Sequence, residues 1–229
     1  VAISPKALRF ERAIVLGVCA VGIPASIQNL LNVTGMTVLN NFTSAYGADA
    51  VAAMGIAQKV NMVPMQVALG FSQGIMPLIS YNYGSGNSRR MKDVFFFSSR
   101  ISLGISATVT LIYFFGAQGV VSLFMENPAI VAYGSRFLQG MCLGLPFLCM
   151  DFLAVGVFQA CGMGGKALAF AILRKIVLEI PALCILGSLF PLYGLAYAQF
   201  TAEVVLATAA VLVLARLFRG LEKRESPLA

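Results

Sequence analysis

The 229-residue sequence predicts an all-α polytopic membrane protein, a bundle of six transmembrane helices. Three observations carry that prediction. Apolar runs at roughly 12–40, 50–80, 94–124, 130–160, 166–189 and 192–217 are each long enough to cross a hydrocarbon core, which takes about 20 helical residues. Hydrophobic residues make up 59% of the chain and charged ones 11%, and the mean hydropathy is +0.87, more apolar surface than one soluble core can hide. The third observation is where the cations fall. Lys6, Arg9 and Arg12 precede the first run, and Arg89, Arg90, Lys92 and Arg100 separate the second from the third. Lys166, Arg174 and Lys175 fall to the gap between the fourth and fifth, and Arg216, Arg219, Lys223 and Arg224 follow the sixth. The alternate gaps hold almost none. Lys and Arg are retained on the cytoplasmic side, so both termini and the second and fourth loops are expected inside, with the turns near Tyr46, Asn127 and Phe190 outside.

Taken in order, residues 1–11 read as a cytoplasmic linker, 12–217 as one six-helix transmembrane lobe and 218–229 as a cytoplasmic tail. The first run holds Pro24 and an unusual set of polar residues: Gln28, Asn29, Asn32, Thr34, Thr37 and Asn40. Gln28 and Asn32 are four apart and share a face, and lipid offers an amide nothing to bond. The second run holds Pro64, Pro77, Gln58, Lys59, Asn61, Gln66, Ser72 and Gln73, and closes at Tyr83-Gly84-Ser85-Gly86-Asn87, a tight turn. The third follows the basic loop. The fourth contains Pro146 and Asp151, the fifth Glu179 and Pro181, and the sixth Glu203. A proline inside a helix frees a carbonyl and kinks the helix unless a neighbour satisfies the exposed group. Gly70 with Gly74, and Gly140 with Gly144, have the four-residue spacing that lets helix backbones approach closely.

Composition also excludes. A net charge of +7 in a soluble chain would suggest nucleic acid, but here the cytoplasmic loops account for it, and their partner is the anionic face of membrane lipid. There is no histidine, and Cys19, Cys142, Cys149, Cys161 and Cys184 lie in the runs without a CxxC pair, so metal and haem sites lack their usual ligands. No metal and no cofactor are expected. Ser/His/Asp catalysis is impossible, and Gly162-Met163-Gly164-Gly165-Lys166 is not a phosphate loop, because Ala167 stands where Ser or Thr must bind magnesium. The chain is therefore not expected to be an enzyme.

The charges inside the runs point further. Lys59, Asp151, Glu179 and Glu203 are well away from water by count from the run ends, and each costs roughly 2.5–3.5 kcal/mol at a span centre. They must pair, face a cavity or be neutralised. A structural Lys–carboxylate pair is one reading. The other is a proton- or cation-binding site in a transport pathway, since three acids for one base leave at least one carboxylate without a lysine.

Gly22-Ile23-Pro24-Ala25-Ser26-Ile27-Gln28-Asn29, Ala52-Ala53-Met54-Gly55-Ile56-Ala57, Gly70-Phe71-Ser72-Gln73-Gly74 and Pro77-Leu78-Ile79-Ser80-Tyr81-Asn82-Tyr83-Gly84 form a series that continues at Phe158-Gln159-Ala160-Cys161-Gly162 and Leu173-Arg174-Lys175. The series resembles the carboxy-terminal half of a multidrug and toxic compound extrusion (MATE) transporter over nearly the whole chain. That resemblance implies two six-helix lobes about a pseudo-two-fold axis and a central cleft open alternately to either side. It also implies export of cationic amphiphiles in exchange for protons or sodium. Two departures bear on the ion. The sodium-linked branch has an acid eight positions after the first-helix proline, where this chain has Asn32, and its fourth-helix aspartate falls about one turn after Asp151. The amides around Asn32 are closer to the proton-linked bacterial subgroup.

The resemblance and the buried charges together lead to a cleft lined by Gln28, Asn32, Met62, Met65, Gln66 and Asp151, with ion coupling at Asp151, Glu179, Glu203 and Lys59. The amino-terminal lobe of the same transporter is the expected partner, small cationic compounds the substrates, and the plasma membrane of a bacterium or archaeon the location. A chain that opens at Val1 without a leader pattern is expected to continue a longer protein. Two alternatives stand: a lipid-linked oligosaccharide flippase of the same superfamily, expected to carry more cavity-facing cations than Lys59, and an accessory membrane subunit without transport of its own.

Overall fold

The computed structural model describes residues 11–225, in which helices are joined by short turns and no strand occurs. The expectations for Lys6, Arg9 and the last four residues lie outside the described residues. Helices α1 (Arg12–Ser44), α2 (Ala48–Gly84) and α3 (Ser88–Ser122) correspond to the first three runs. Helices α4 (Pro128–Cys142) and α5 (Leu145–Ala160) meet at 45° and together make the fourth. Helix α6 (Gly164–Ile172), a π-helical segment (Leu173–Glu179) and α7 (Ile180–Leu189) follow one another without a break and make the fifth. Helix α8 (Gly194–Glu225) is the sixth and runs on into the expected tail. Local chemistry sets these boundaries. Gly86 and Gly162 take φ of 72° and 73° in the turns before α3 and α6, a region open to glycine at little cost. Asn87 caps α3 by accepting from the Arg90 amide at 3.0 Å, and Asn127 caps α4 by accepting from Ala129 at 3.0 Å, with Pro128 at its first turn.

Side chains of α3 satisfy the backbone carbonyls that two of the prolines free. Pro64 leaves the Val60 carbonyl without its intrahelical donor, and the Tyr113 hydroxyl of α3 donates to it at 3.3 Å. Pro146 does the same to Cys142 at the α4–α5 bend, and Thr110 of α3 donates to that carbonyl at 3.0 Å. Pro24 frees Ala20 in α1, and there Gly164 comes so close that a Cβ would lie 2.7 Å from the Ala20 oxygen. Gly140 packs as tightly on α8, where a Cβ would meet that of Ala196 at 2.8 Å, whereas Gly70 and Gly74 face open space. Of the two small-residue pairs, only the second makes a helix contact within the described residues.

Two apolar cores fill the two ends of the bundle. Met54, Val60, Val121, Phe137, Leu138 and Leu195 lead one, and Ile79, Met91, Phe95, Leu153, Phe158 and Leu206 the other. A smaller cluster around Leu145, Leu148, Cys149 and Phe152 sits at the bend. Along α2, α5, the fifth rod and α8, the residues between the two cores are Asn61, Asp151, Arg174 to Glu179, and Glu203. Polar chemistry is thus held at mid-depth by apolar packing above and below.

Candidate functional site

The buried charges converge on Arg174. It occupies the π-helical segment, where the Ile180 amide reaches five residues back to Lys175 and Pro181 follows with no amide to offer. Its Nη1 donates to Asp151 Oδ2 of α5 at 3.1 Å, and the two side chains are 3% and 2% exposed. Its Nη2 donates to Asn32 Oδ1 of α1 at 2.8 Å, and its guanidinium lies 5.4 Å from the centre of the Phe152 ring. The next residue, Lys175, donates through Nζ to both oxygens of Glu179 at 2.8 and 2.6 Å, an (i, i+4) pair, while its stem lies across Gly35 of α1. Glu203 of α8 is 2% exposed and closes the cluster.

Asn32, Asn61, Met62, Met65, Arg174, Glu179 and Glu203 line a cavity of about 80 Å³ together with Gly35 and Lys175. Several polar atoms here have no partner: Asn61 Oδ1, Asp151 Oδ1, Glu203 Oε2 and Arg174 Nε are all buried and unbonded. Buried polar atoms are nearly always paired, so four orphans in one region single it out as the candidate site. Three of the four are acceptors. Three acids face two cations, and Glu203 is the carboxylate with no cation within bonding distance. Among the described residues no cluster of three or more His, Cys, Asp or Glu side chains has the geometry to hold a metal.

The structure separates the expected site residues. Asn32, Asp151, Glu179 and Glu203 come together, and Met62 and Met65 reach the same cavity. Gln28 lies one turn before Asn32 on α1, accepting from Gln159 of α5 at 3.4 Å. Lys59 and Gln66 do not join: both point outward from α2, beside Val63 and Val67. The cation among the acids is not Lys59. It is Arg174, with Lys175 beside it, and neither lies in a cytoplasmic loop as the spacing of basic residues suggested. The run from Ala167 to Leu189 is one continuous rod, so the basic pair sits inside the membrane-spanning bundle. The readable signal was the spacing of Lys175 and Glu179, a helical pair that a loop does not need.

A bundle of long apolar helices around a buried, partly unpaired charge cluster is the form of an integral membrane protein. The MatE family model matches residues 24–185, and the chain belongs to the MatE family. Multidrug export protein MepA of Staphylococcus aureus (strain MRSA252) is 34% identical over 215 residues, which are 93% of this chain and 47% of that protein. Its counterpart in Staphylococcus saprophyticus is 32% identical over 207 residues, covering 90% and 45%. The outward-facing structure of a multidrug resistance MATE transporter superposes with a TM-score of 0.89 at 22% identity, over 97% of this chain and 51% of that one, a likeness of fold. The chain spans about half the length of the curated relatives it matches.

Proposed function

We propose that the chain forms one six-helix half of a secondary multidrug exporter that antiports cationic amphiphiles against protons or sodium by alternating access. The other half is a second six-helix lobe, and both termini of this one face the cytoplasm. Glu203 carries the reading: a buried carboxylate with no cation within salt-bridge distance, on a cavity that also presents Asn61 and Arg174. Such a group is costly in the membrane unless it holds a proton or a cation, and uptake from one side with release to the other is the elementary act of ion coupling. The methionines Met36 of α1 and Met62 and Met65 of α2, lining the same cavity, supply a flexible, polarisable surface for varied apolar cargo. The relatives, multidrug export proteins, favour this over a lipid-linked oligosaccharide flippase.

The test is reconstitution of the full-length transporter, with export of ethidium driven by a pH gradient or a sodium gradient. Glu203→Gln, Asp151→Asn and Glu179→Gln are compared one at a time, and Glu203→Gln is expected to remove gradient-driven export while leaving ethidium binding. Wild-type rates in all three would make the acids structural and refute coupling through this lobe.

A further inference from the structure

No described element covers the outward face of α2. Lys59, Gln66 and Gln73 recur along it every seven residues, all three exposed. Seven residues bring a helix back to nearly the same side, so these make one stripe. The fourteen helical steps from Lys59 to Gln73 rise about 21 Å, most of a hydrocarbon core of about 30 Å. No hydrogen bond or ion pair reaches any of the three among the described residues. Hydrocarbon satisfies neither an ammonium nor an amide. The contrast with α3 is plain: Leu111, Ile112 and Phe115 face outward there, as lipid requires.

We propose that this face of α2 docks against a helix of the second six-helix unit, and that this helix carries a carboxylate opposite Lys59 and hydrogen-bonding side chains opposite Gln66 and Gln73. The inference rests on the existence of that second unit, stated above. Charge decides the chemistry of the partner, because a cation within an apolar span calls for an anion at its own depth. Seven-residue spacing decides its direction: such a stripe stays against its partner when two helices cross at a shallow angle of about 20°. Gly70 lies between the two glutamines, and a Cβ there meets nothing within 4 Å, which leaves room for a close backbone. The relatives supply chain enough, since this one accounts for 47% of the S. aureus protein.

The experiment uses the full-length transporter in its membrane, treated with a hydrophobic carbodiimide that joins a contacting ammonium and carboxylate as an amide and leaves as its urea. Peptide mass spectrometry is expected to find Lys59 joined to an Asp or Glu outside residues 1–229 of the same polypeptide. Mixed 14N and 15N samples separate a link within one molecule from a link between copies. Lys59→Arg should lose the link and keep export within about twofold, while Lys59→Glu should lower export about tenfold and recover when the linked acid is changed to Lys. Absence of the link, with the Lys59 amine open to a water-soluble acylating reagent, would mean an open or snorkelling lysine and overturn the proposal, as would a link to a second copy. Wild-type export is measured on the same membranes. Export without the link refutes the docking face alone; a wild-type protein that neither exports nor exchanges refutes the exporter reading.

Discussion

Arg174 holds three helices at once, through Asp151 on α5, Asn32 on α1 and its own place in the fifth rod. Removing one member of a buried pair leaves an uncompensated charge, which costs more than the pair contributes when intact. Arg174→Met is therefore expected to destabilise the protein by about 3–5 kcal/mol, because Asp151 loses its cation inside the bundle. The double variant Arg174→Met, Asp151→Asn removes both charges and should regain most of that loss. Unfolding titrations in bicelles, with Asp151→Asn alone as the second single variant, measure the cycle; a double-variant loss equal to the sum of the two single losses would show that the pair is not coupled. Asn32, read from sequence as an amide kept from lipid, is in the structure an acceptor for this guanidinium, so Asn32→Ala should leave part of the same cluster unpaired.

At the scale of elements, α3 serves as a shared brace, its Tyr113 and Thr110 donating to the carbonyls freed by Pro64 and Pro146. Tyr113→Phe is expected to cost about 1 kcal/mol through the orphaned Val60 carbonyl. Restoring the helical donor with Pro64→Ala should make the same substitution nearly silent, as thermal denaturation of the four proteins in detergent would show. The six rods were legible because long apolar runs end at glycine and asparagine turns, signals that depend on neighbours in sequence alone. That the prolines would need neighbours was legible too; which neighbours was not, since Tyr113 is 53 residues from Val60. The acids of the candidate site were legible from their cost in lipid. Their cation was not, because Lys59 stands alone in an apolar run and draws attention, whereas Arg174 stands beside Lys175 and reads as a loop. Only the folded rod shows that Arg174 is buried and Lys59 exposed.

At the scale of the whole molecule, orientation is the open quantity that the basic loops predict. With the five native cysteines replaced, Ser85→Cys at the exposed α2–α3 turn should react with an impermeant maleimide only from the cytoplasmic side, and Glu126→Cys before α4 only from outside. Reversed labelling in intact and broken cells would invert the lobe. The way α1 is fastened has a further consequence. Among the described residues only Val38 and Leu39 of α1 join the apolar cores, and side-chain hydrogen bonds tie the helix as well, Asn32 to Arg174, Gln28 to Gln159 and Asn40 to Gln58. Apolar interlocking resists movement over its whole area at once, but three separate bonds come undone one after another. Helix α1 is thus fastened like a zip, whose teeth are two amide–amide hydrogen bonds and one charge-assisted bond to Arg174, each separable at the cost of a single hydrogen bond.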